Sequence, residues 1–280
     1  MGGYEGSVMT FTSVMVPLDL GASSSARLRL AGTLAKRFGA RLIGVAARQS
    51  LPHNLYGRGA YINSQFVDQA TARATDELSQ VEARFCEVMA DAGEAEWRSA
   101  KADPSAFLVE QARSADLVVV SRYRSAGVED WCSSIEPGEL VLRLGRPVLI
   151  APPSVETLAA RRIVVAWKDT REARRAVSDG LPFLRMADEV LIVALGDEAD
   201  WKGAGETQGY LSRHGVTATT ILRSPSKLGV AAELLLIAQQ EGADLIIAGA
   251  YGHARMREVI FGSVTRKLLE HVPVCCLLSH

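Results

Sequence analysis

The residues best suited to chemistry in this sequence are glycines and hydroxyl side chains near its end. Gly249 and Gly252 are separated by two residues, and Gly262 and Ser263 follow after nine more. Glycine lets the backbone approach a phosphate closely, and free N–H groups at a helix start bind anions. The hydroxyls of Ser263 and Thr265 could add donors. The spacing favours a phosphate-binding loop, and a plain chain turn is the alternative for the first two glycines taken alone.

The flanking segments place this loop between a strand and a helix. Residues 245–248 form a continuous apolar run directly before Gly249, and residues 266–269 would continue a helix after Thr265. In an open parallel sheet, ligands bind beyond the carboxyl ends of the strands, at the switch point between crossovers. The loop therefore stands where such a sheet binds its ligand.

The same strand pattern occurs twice along the chain. In each copy the strands are continuous apolar runs, as expected for strands that are covered on both faces, and they alternate with helical stretches. Five landmarks recur in the same order, which is strong evidence of duplication. The landmark pairs are residues 14–19 and 163–168, 41–46 and 190–195, 102–105 and 223–226, 115–120 and 243–248, and 146–150 and 272–276.

We therefore predict an α/β protein of two tandem Rossmann-like domains, residues 11–151 and 161–280, joined by a proline-containing linker. The first copy is longer. Its excess predicts an inserted loop over residues 47–70, rich in Gly, Pro, Asn and Tyr over residues 51–63. A single long helix is predicted over residues 67–90.

The glycine spacing, preceded by Ala-Asp-Leu-Ile-Ile and followed by His-Val-Pro-Val, resembles the ATP-binding motif of universal stress proteins. The resemblance covers both copies and implies a five-stranded, mostly parallel sheet flanked by helices in each. It implies ATP as the bound cofactor, with or without Mg²⁺. Phosphates would lie on the loop and adenosine beside the first two strands. The implied binding residues are Ala166, Trp167, Lys168, Asp169, Ile192, Val193, Ala248, Gly249, Gly252, His253, Gly262, Ser263, Val264 and Thr265.

Two departures from the family pattern stand out. Lys168 occupies the position where the family usually has an Asp that meets the adenosine, and Asp169 follows it. The first copy keeps Asp19 at that position, but residues 121–124 replace its glycine pair. The side chains at 121 and 124, together with Glu136 and Glu139, would crowd and repel a triphosphate. We predict that the first copy does not bind ATP in the family manner.

The composition excludes several classes of protein. Net charge is −1, which gives no electrostatic case for nucleic acid, and no apolar run approaches the ~20 residues of a membrane span. The expected location is the cytoplasm. Neither a hydrolase elbow nor a zinc-protease motif occurs, so no catalytic residue is assigned. Adjacent Cys275 and Cys276 are expected to be buried on opposite faces of a strand.

Three functional hypotheses remain open from the sequence. The first is a stress-response protein that binds an adenine nucleotide in its second domain. The second is a nucleotide-free signalling or scaffold protein of the same fold, and the third is a slow nucleotide hydrolase or transferase. By resemblance, the last strands, residues 147–150 and 274–278, would pair within the chain as a pseudo-dimer, which leaves a further homodimer open.

Overall fold

The computed structural model describes residues 10–50, 64–90, 94–122, 135–198, 201–227, 229–252 and 263–280. Ten strands in these ranges form one sheet. The strands are β1 Ser13–Pro17, β2 Arg41–Ala47, β3 Ala95–Ala100, β4 Leu117–Ser121, β5 Val148–Ala151, β6 Arg162–Trp167, β7 Glu189–Leu195, β8 Ala218–Arg223, β9 Leu245–Gly249 and β10 Cys275–Ser279.

Helices cover both faces of the sheet. Two hydrophobic clusters fill the space between the helices and the sheet, one on each face. The helices are α1 Ser24–Phe38, α2 Ser64–Met89, α3 Pro104–Gln111, α4 Pro137–Arg143, α5 Arg171–Asp179, α6 Leu181–Leu184, α7 Ala204–Arg213, α8 Val230–Gln240 and α9 Ser263–His271. No helix in these ranges is both long and apolar enough to cross a membrane.

The sheet joins two halves of identical topology. Its strand order is β3-β2-β1-β4-β5-β10-β9-β6-β7-β8, so β1–β5 form the first half and β6–β10 the second. Pairing is parallel within each half, and β5 and β10 pair antiparallel, with Ile150 opposite Cys276 and Val148 opposite Leu278. The two halves are thus a pseudo-dimer within one chain, and the predicted pairing of the last strands is confirmed.

The Ala-Asp landmark of the repeat has a structural reason. Asp116, just before β4, accepts hydrogen bonds at Oδ2 from the backbone N–H groups of Thr12 (2.8 Å) and Ser13 (3.0 Å). Asp244, just before β9, accepts from the N–H groups of residues 161–162. Each aspartate therefore fixes the start of the central strand beside its neighbour, which sets the register of the pair.

The two halves share one core on the side of α1, α2 and α5–α7. Phe183 of the second half is fully buried, and its ring centroid lies 5.4 Å from that of Phe11 and 5.3 Å from that of Phe38. Leu158, in the segment between β5 and β6, is buried in the same cluster. The connection between the halves is therefore packed against the core.

Two details refine the sequence analysis. The long helix predicted over residues 67–90 is confirmed as α2, which begins at Ser64. Residues 64–70 are therefore helical, and the prediction that the inserted loop extends to residue 70 is wrong for this stretch. Residues 51–63 lie outside the described ranges. Cys275 and Cys276 are buried in the clusters on opposite faces, as predicted.

Candidate functional site

The floor of the candidate site is a row of three residues across neighbouring strands of the second half. Ala166 on β6 is the Cα partner of both Val193 on β7 and Ala248 on β9. All three belong to the face covered by α8 and α9. Ala166 is partly buried, whereas Val193 and Ala248 are buried. The structure thus brings three of the predicted adenosine-binding residues together.

Two other predicted residues are directed away from this row. Ile192 and Trp167 pack in the cluster on the opposite face of the sheet. The Trp167 indole Nε1 donates to the carbonyl of Lys202 at 2.9 Å, so its polar end is used inside the protein. These two side chains pack on the opposite face of the sheet and do not line the same surface as Ala166.

The turn after β6 is exposed. Lys168 and Asp169 both lie on the surface, and Asp169 Oδ1 accepts a hydrogen bond from Arg174 Nη2 at 2.9 Å. Thr170 caps α5, since its Oγ1 accepts from the Ala173 N–H at 3.2 Å. The turn therefore leads directly into α5. The side chains of Lys168 and Asp169 are exposed at the end of the sheet where the parallel strands have their carboxyl ends.

Gly249 ends β9 against the first turn of α5. A Cβ added at Gly249 would lie 2.5 Å from the Ala173 backbone nitrogen and 2.6 Å from the Glu172 carbonyl carbon. Real Cβ contacts are essentially never that short, and both neighbours are backbone atoms. This glycine is therefore required for strand–helix packing whether or not a ligand binds.

The following residues tie the loop to β10 and α9. The Ala250 N–H donates to the Ser279 carbonyl at 2.8 Å, and the Tyr251 N–H donates to Thr265 Oγ1 at 3.4 Å. Tyr251 has a φ of 61°, a left-handed conformation that is uncommon outside glycine. Thr265 is buried, and the hydrogen bond that its hydroxyl accepts from Tyr251 holds the loop against α9.

Tyr251 also reaches the first half. It packs in the same cluster as Ile135. Burial, with the nearby Glu136 carboxylate, raises the pKa of Tyr251 to about 12. The loop of the second half thus lies beside the start of α4 in the first.

A buried carboxylate that sequence reasoning missed lies beneath the loop. Glu172 on α5 is 3% exposed, and its Oε2 lies 3.1 Å from the Cβ that a side chain at Gly252 would have. Burial acts to raise its pKa, but the Arg171 side chain, its own backbone N–H and Thr170 outweigh burial and lower it. The sequence does contain one indication of this burial. At helical spacing, Glu172 lies on the same face as the apolar residues Ala173, Ala176 and Val177.

Three further predicted residues, Ser263, Val264 and Thr265, lie in the first turn of α9. Val264 packs against the apolar cluster that contains the row, and Ser263 begins the helix. His253 and Gly262 lie outside the described residues. The described part of the predicted phosphate loop, from Gly249 to Gly252, is therefore flanked by α5 on one side and α9 on the other.

In the first half a buried arginine lies at the strand end that corresponds to Gly249. Arg27 is 6% exposed, and its Nε donates to the Pro17 carbonyl at 2.8 Å. Its Nη1 donates to Ser121 Oγ at 2.6 Å, and its Nη2 pairs with Asp19 Oδ2 at 3.0 Å. By strand register, Ser121 stands where the second half has Gly249. The guanidinium thus links the ends of β1 and β4.

Replacing Arg27 with leucine is expected to lower the free energy of unfolding by about 2 kcal/mol, because three hydrogen bonds to a buried charged group are lost together. Urea unfolding followed by circular dichroism measures this. The matched control is Arg29→Leu, whose ion pair with Glu156 is half exposed and screened by water, so this variant should lose clearly less stability than Arg27→Leu. Equal losses in the two variants would contradict a structural role for Arg27.

Sequence comparison finds a family match at the end of the second half. Residues 227–280 match the model of the Universal stress protein family, so this part of the chain is similar to that family. The match contains β9, the glycine loop, α9 and β10, and it begins after β6, β7 and α5. No curated protein matches the chain.

Solved structures extend the fold likeness to the full length. A universal stress protein from Archaeoglobus fulgidus DSM 4304 is 14% identical, and the alignment covers 96% of this chain and 98% of that chain with a TM-score of 0.70. A protein of unknown function from Pseudomonas aeruginosa PAO1 is 12% identical over 96% of this chain and 92% of its own, with a TM-score of 0.57. The whole chain therefore has the fold of a tandem universal stress protein.

Proposed function

We propose that the second half binds an adenine nucleotide, with ATP as the first candidate and with or without Mg²⁺. The observation that carries the proposal is the position of the Gly249–Gly252 loop. It leaves the strand next to the Ala166 row, in the part of the chain that matches the universal stress protein family. Adenosine would lie over Ala166, Val193 and Ala248. Phosphates would lie against the loop and the start of α9.

The proposed roles of the charged residues at the rim follow from their exposure. Lys168 is an exposed cation at the end of β6, where it can meet a phosphate. Asp169 is already hydrogen-bonded to Arg174, which favours a role in the turn over recognition of the base. We assign no catalytic residue, and we infer that the protein binds its nucleotide as part of a stress response and does not turn it over.

For the first half we propose a structural role. Ser121 stands where the second half has Gly249, and its hydroxyl accepts a hydrogen bond from the Arg27 guanidinium, which also pairs with Asp19. We retain domain boundaries at residues 11–151 and 161–280 as part of this proposal. Under it, one chain binds one nucleotide.

The experiment is to purify the protein without added ligand, denature it, and identify the released small molecules by mass spectrometry. Isothermal titration with ATP then gives the affinity and the stoichiometry. We expect one site per chain. Gly262→Asp adds a negative charge to the proposed phosphate loop and is expected to abolish binding in a folded protein.

The matched control is Gly209→Asp on α7, where a new side chain would stand 3.7 Å from Arg213 Nη1 and has room. This variant should bind as the parent does. Retained ATP affinity in a folded Gly262→Asp protein would overturn the site assignment. No released nucleotide and no heat of binding would favour the second candidate, a nucleotide-free scaffold.

A further inference from the structure

The buried carboxylate of Glu172 has no role in the proposed binding of phosphate, and its position opposes that binding. Three charged side chains are buried in the described residues, namely Arg27, Glu172 and Glu233. Arg27 is neutralised inside the first half, and Glu233 pairs with Arg223 at the edge strand β8. Glu172 alone among them lies beside the glycine loop.

The surroundings of Glu172 keep it ionised without cancelling its charge. Its ion-pair partner, Arg171, has a side chain that is 77% exposed, so water screens that cation strongly. The hydrogen bonds from Thr170 and from its own backbone N–H favour the carboxylate form. A negative charge therefore persists under the loop at neutral pH.

This charge lies within reach of any group bound on the loop. Glu172 Oε2 is 3.1 Å from the position that a Cβ on Gly252 would take, and Gly252 itself is exposed. Like charges a few ångströms apart at a partly buried site repel each other strongly. The repulsion grows with the charge of the ligand and falls when a cation neutralises it.

We propose that Glu172 selects the ligand by its charge. It disfavours free polyphosphates, so the site prefers a nucleoside monophosphate, or a polyphosphate whose charge is neutralised by a divalent cation. This inference rests on the proposed function, because it concerns the same loop. It makes Glu172 a specificity-determining residue.

The test is isothermal titration of adenosine, AMP, ADP and ATP in EDTA, with the parent protein and with Glu172→Gln. Glutamine keeps the shape and one acceptor oxygen and removes the charge. We expect ATP affinity to rise about tenfold or more, ADP and AMP affinity to rise progressively less, and adenosine affinity to stay unchanged. Adding Mg²⁺ should shrink the difference between the two proteins for ATP.

Two further variants sharpen the result. Glu189→Gln removes the same charge at the amino end of β7, the end of the strand that lies away from the candidate site. It should leave the affinities for all four ligands unchanged. Arg171→Gln removes the exposed cation beside Glu172. Because water screens that cation, this variant should weaken ATP binding relative to adenosine by much less than Glu172→Gln strengthens it. Because Arg171 is on the surface, this variant tests the inference even where Glu172→Gln does not fold.

The outcomes separate the two proposals. Equal changes for all four ligands, or none in either variant, would overturn the role of Glu172 and leave nucleotide binding intact. Flat titrations of adenosine and AMP as well as ATP, in the parent and in Glu172→Gln, would overturn the proposed function and this inference with it. A gain that increases with phosphate number supports both.

Discussion

Replacing Phe183 with alanine is expected to lower the free energy of unfolding by about 3–5 kcal/mol, the range for deleting a buried aromatic ring. The ring is fully buried in the second half, yet it contacts Phe11 and Phe38 of the first. The cavity would therefore open at the junction of the halves. We expect one cooperative transition in the parent and in the variant, since a shared core couples both halves.

Urea unfolding measures the loss, and hydrogen exchange with mass spectrometry reports on each half separately. Peptides from β1–β5 and from β6–β10 should lose protection by the same amount. The control is Phe66→Ala on α2, where the ring is 53% exposed and the change should stay within about 0.5 kcal/mol. Loss of protection confined to the second half would show that the junction does not couple the halves.

Gly249→Ala is the second substitution with a large expected effect. Its Cβ would lie 2.5 Å and 2.9 Å from the backbone nitrogen and Cα of Ala173, so the start of α5 must move away from β9. Overpacking against backbone belongs at the upper end of its usual range, and we expect a loss of about 3 kcal/mol in thermal or urea unfolding.

Gly205→Ala provides the matched control for this clash. Gly205 lies in α7, where an added Cβ has no neighbour within 4 Å, so alanine should be neutral or should stabilise the helix by up to about 1 kcal/mol. Equal stability of the two variants would contradict the strand–helix packing described for Gly249. Loss of ligand binding in Gly249→Ala could reflect this packing, which is why Gly262→Asp carries the binding test.

Much of the fold could be predicted because its signals are local and repeated. The apolar runs at residues 163–168 and 245–248 define central strands, and the duplication doubles every such signal. The pairing of β5 with β10 was predictable from resemblance to the family, and the structure confirms it. The start of α2 at Ser64 was missed because the polar residues Ser64 and Gln65 suit a loop as well as the first turn of a helix.

The candidate site was less predictable, because its properties depend on contacts between distant residues. The spacing of Gly249 and Gly252 suggested contact with phosphate, whereas the close neighbours of both are Thr170, Glu172 and Ala173 on α5. Nothing in the sequence near Arg27 indicates that its guanidinium reaches Ser121, 94 residues away. Ile192 was expected beside adenosine, but the alternation of side chains along β7 directs it to the opposite face from Val193.

The antiparallel join of β5 and β10 has a consequence for how this sequence can change. In a dimer of identical chains, a two-fold axis makes every substitution occur at two symmetric places. Here the two strands belong to one polypeptide, so a substitution occurs once. One half can therefore carry Arg27 and Ser121 where the other carries Glu172 and Gly249, within one ten-stranded sheet. Because the halves are joined in one chain, a substitution that suits one half is not imposed on the other.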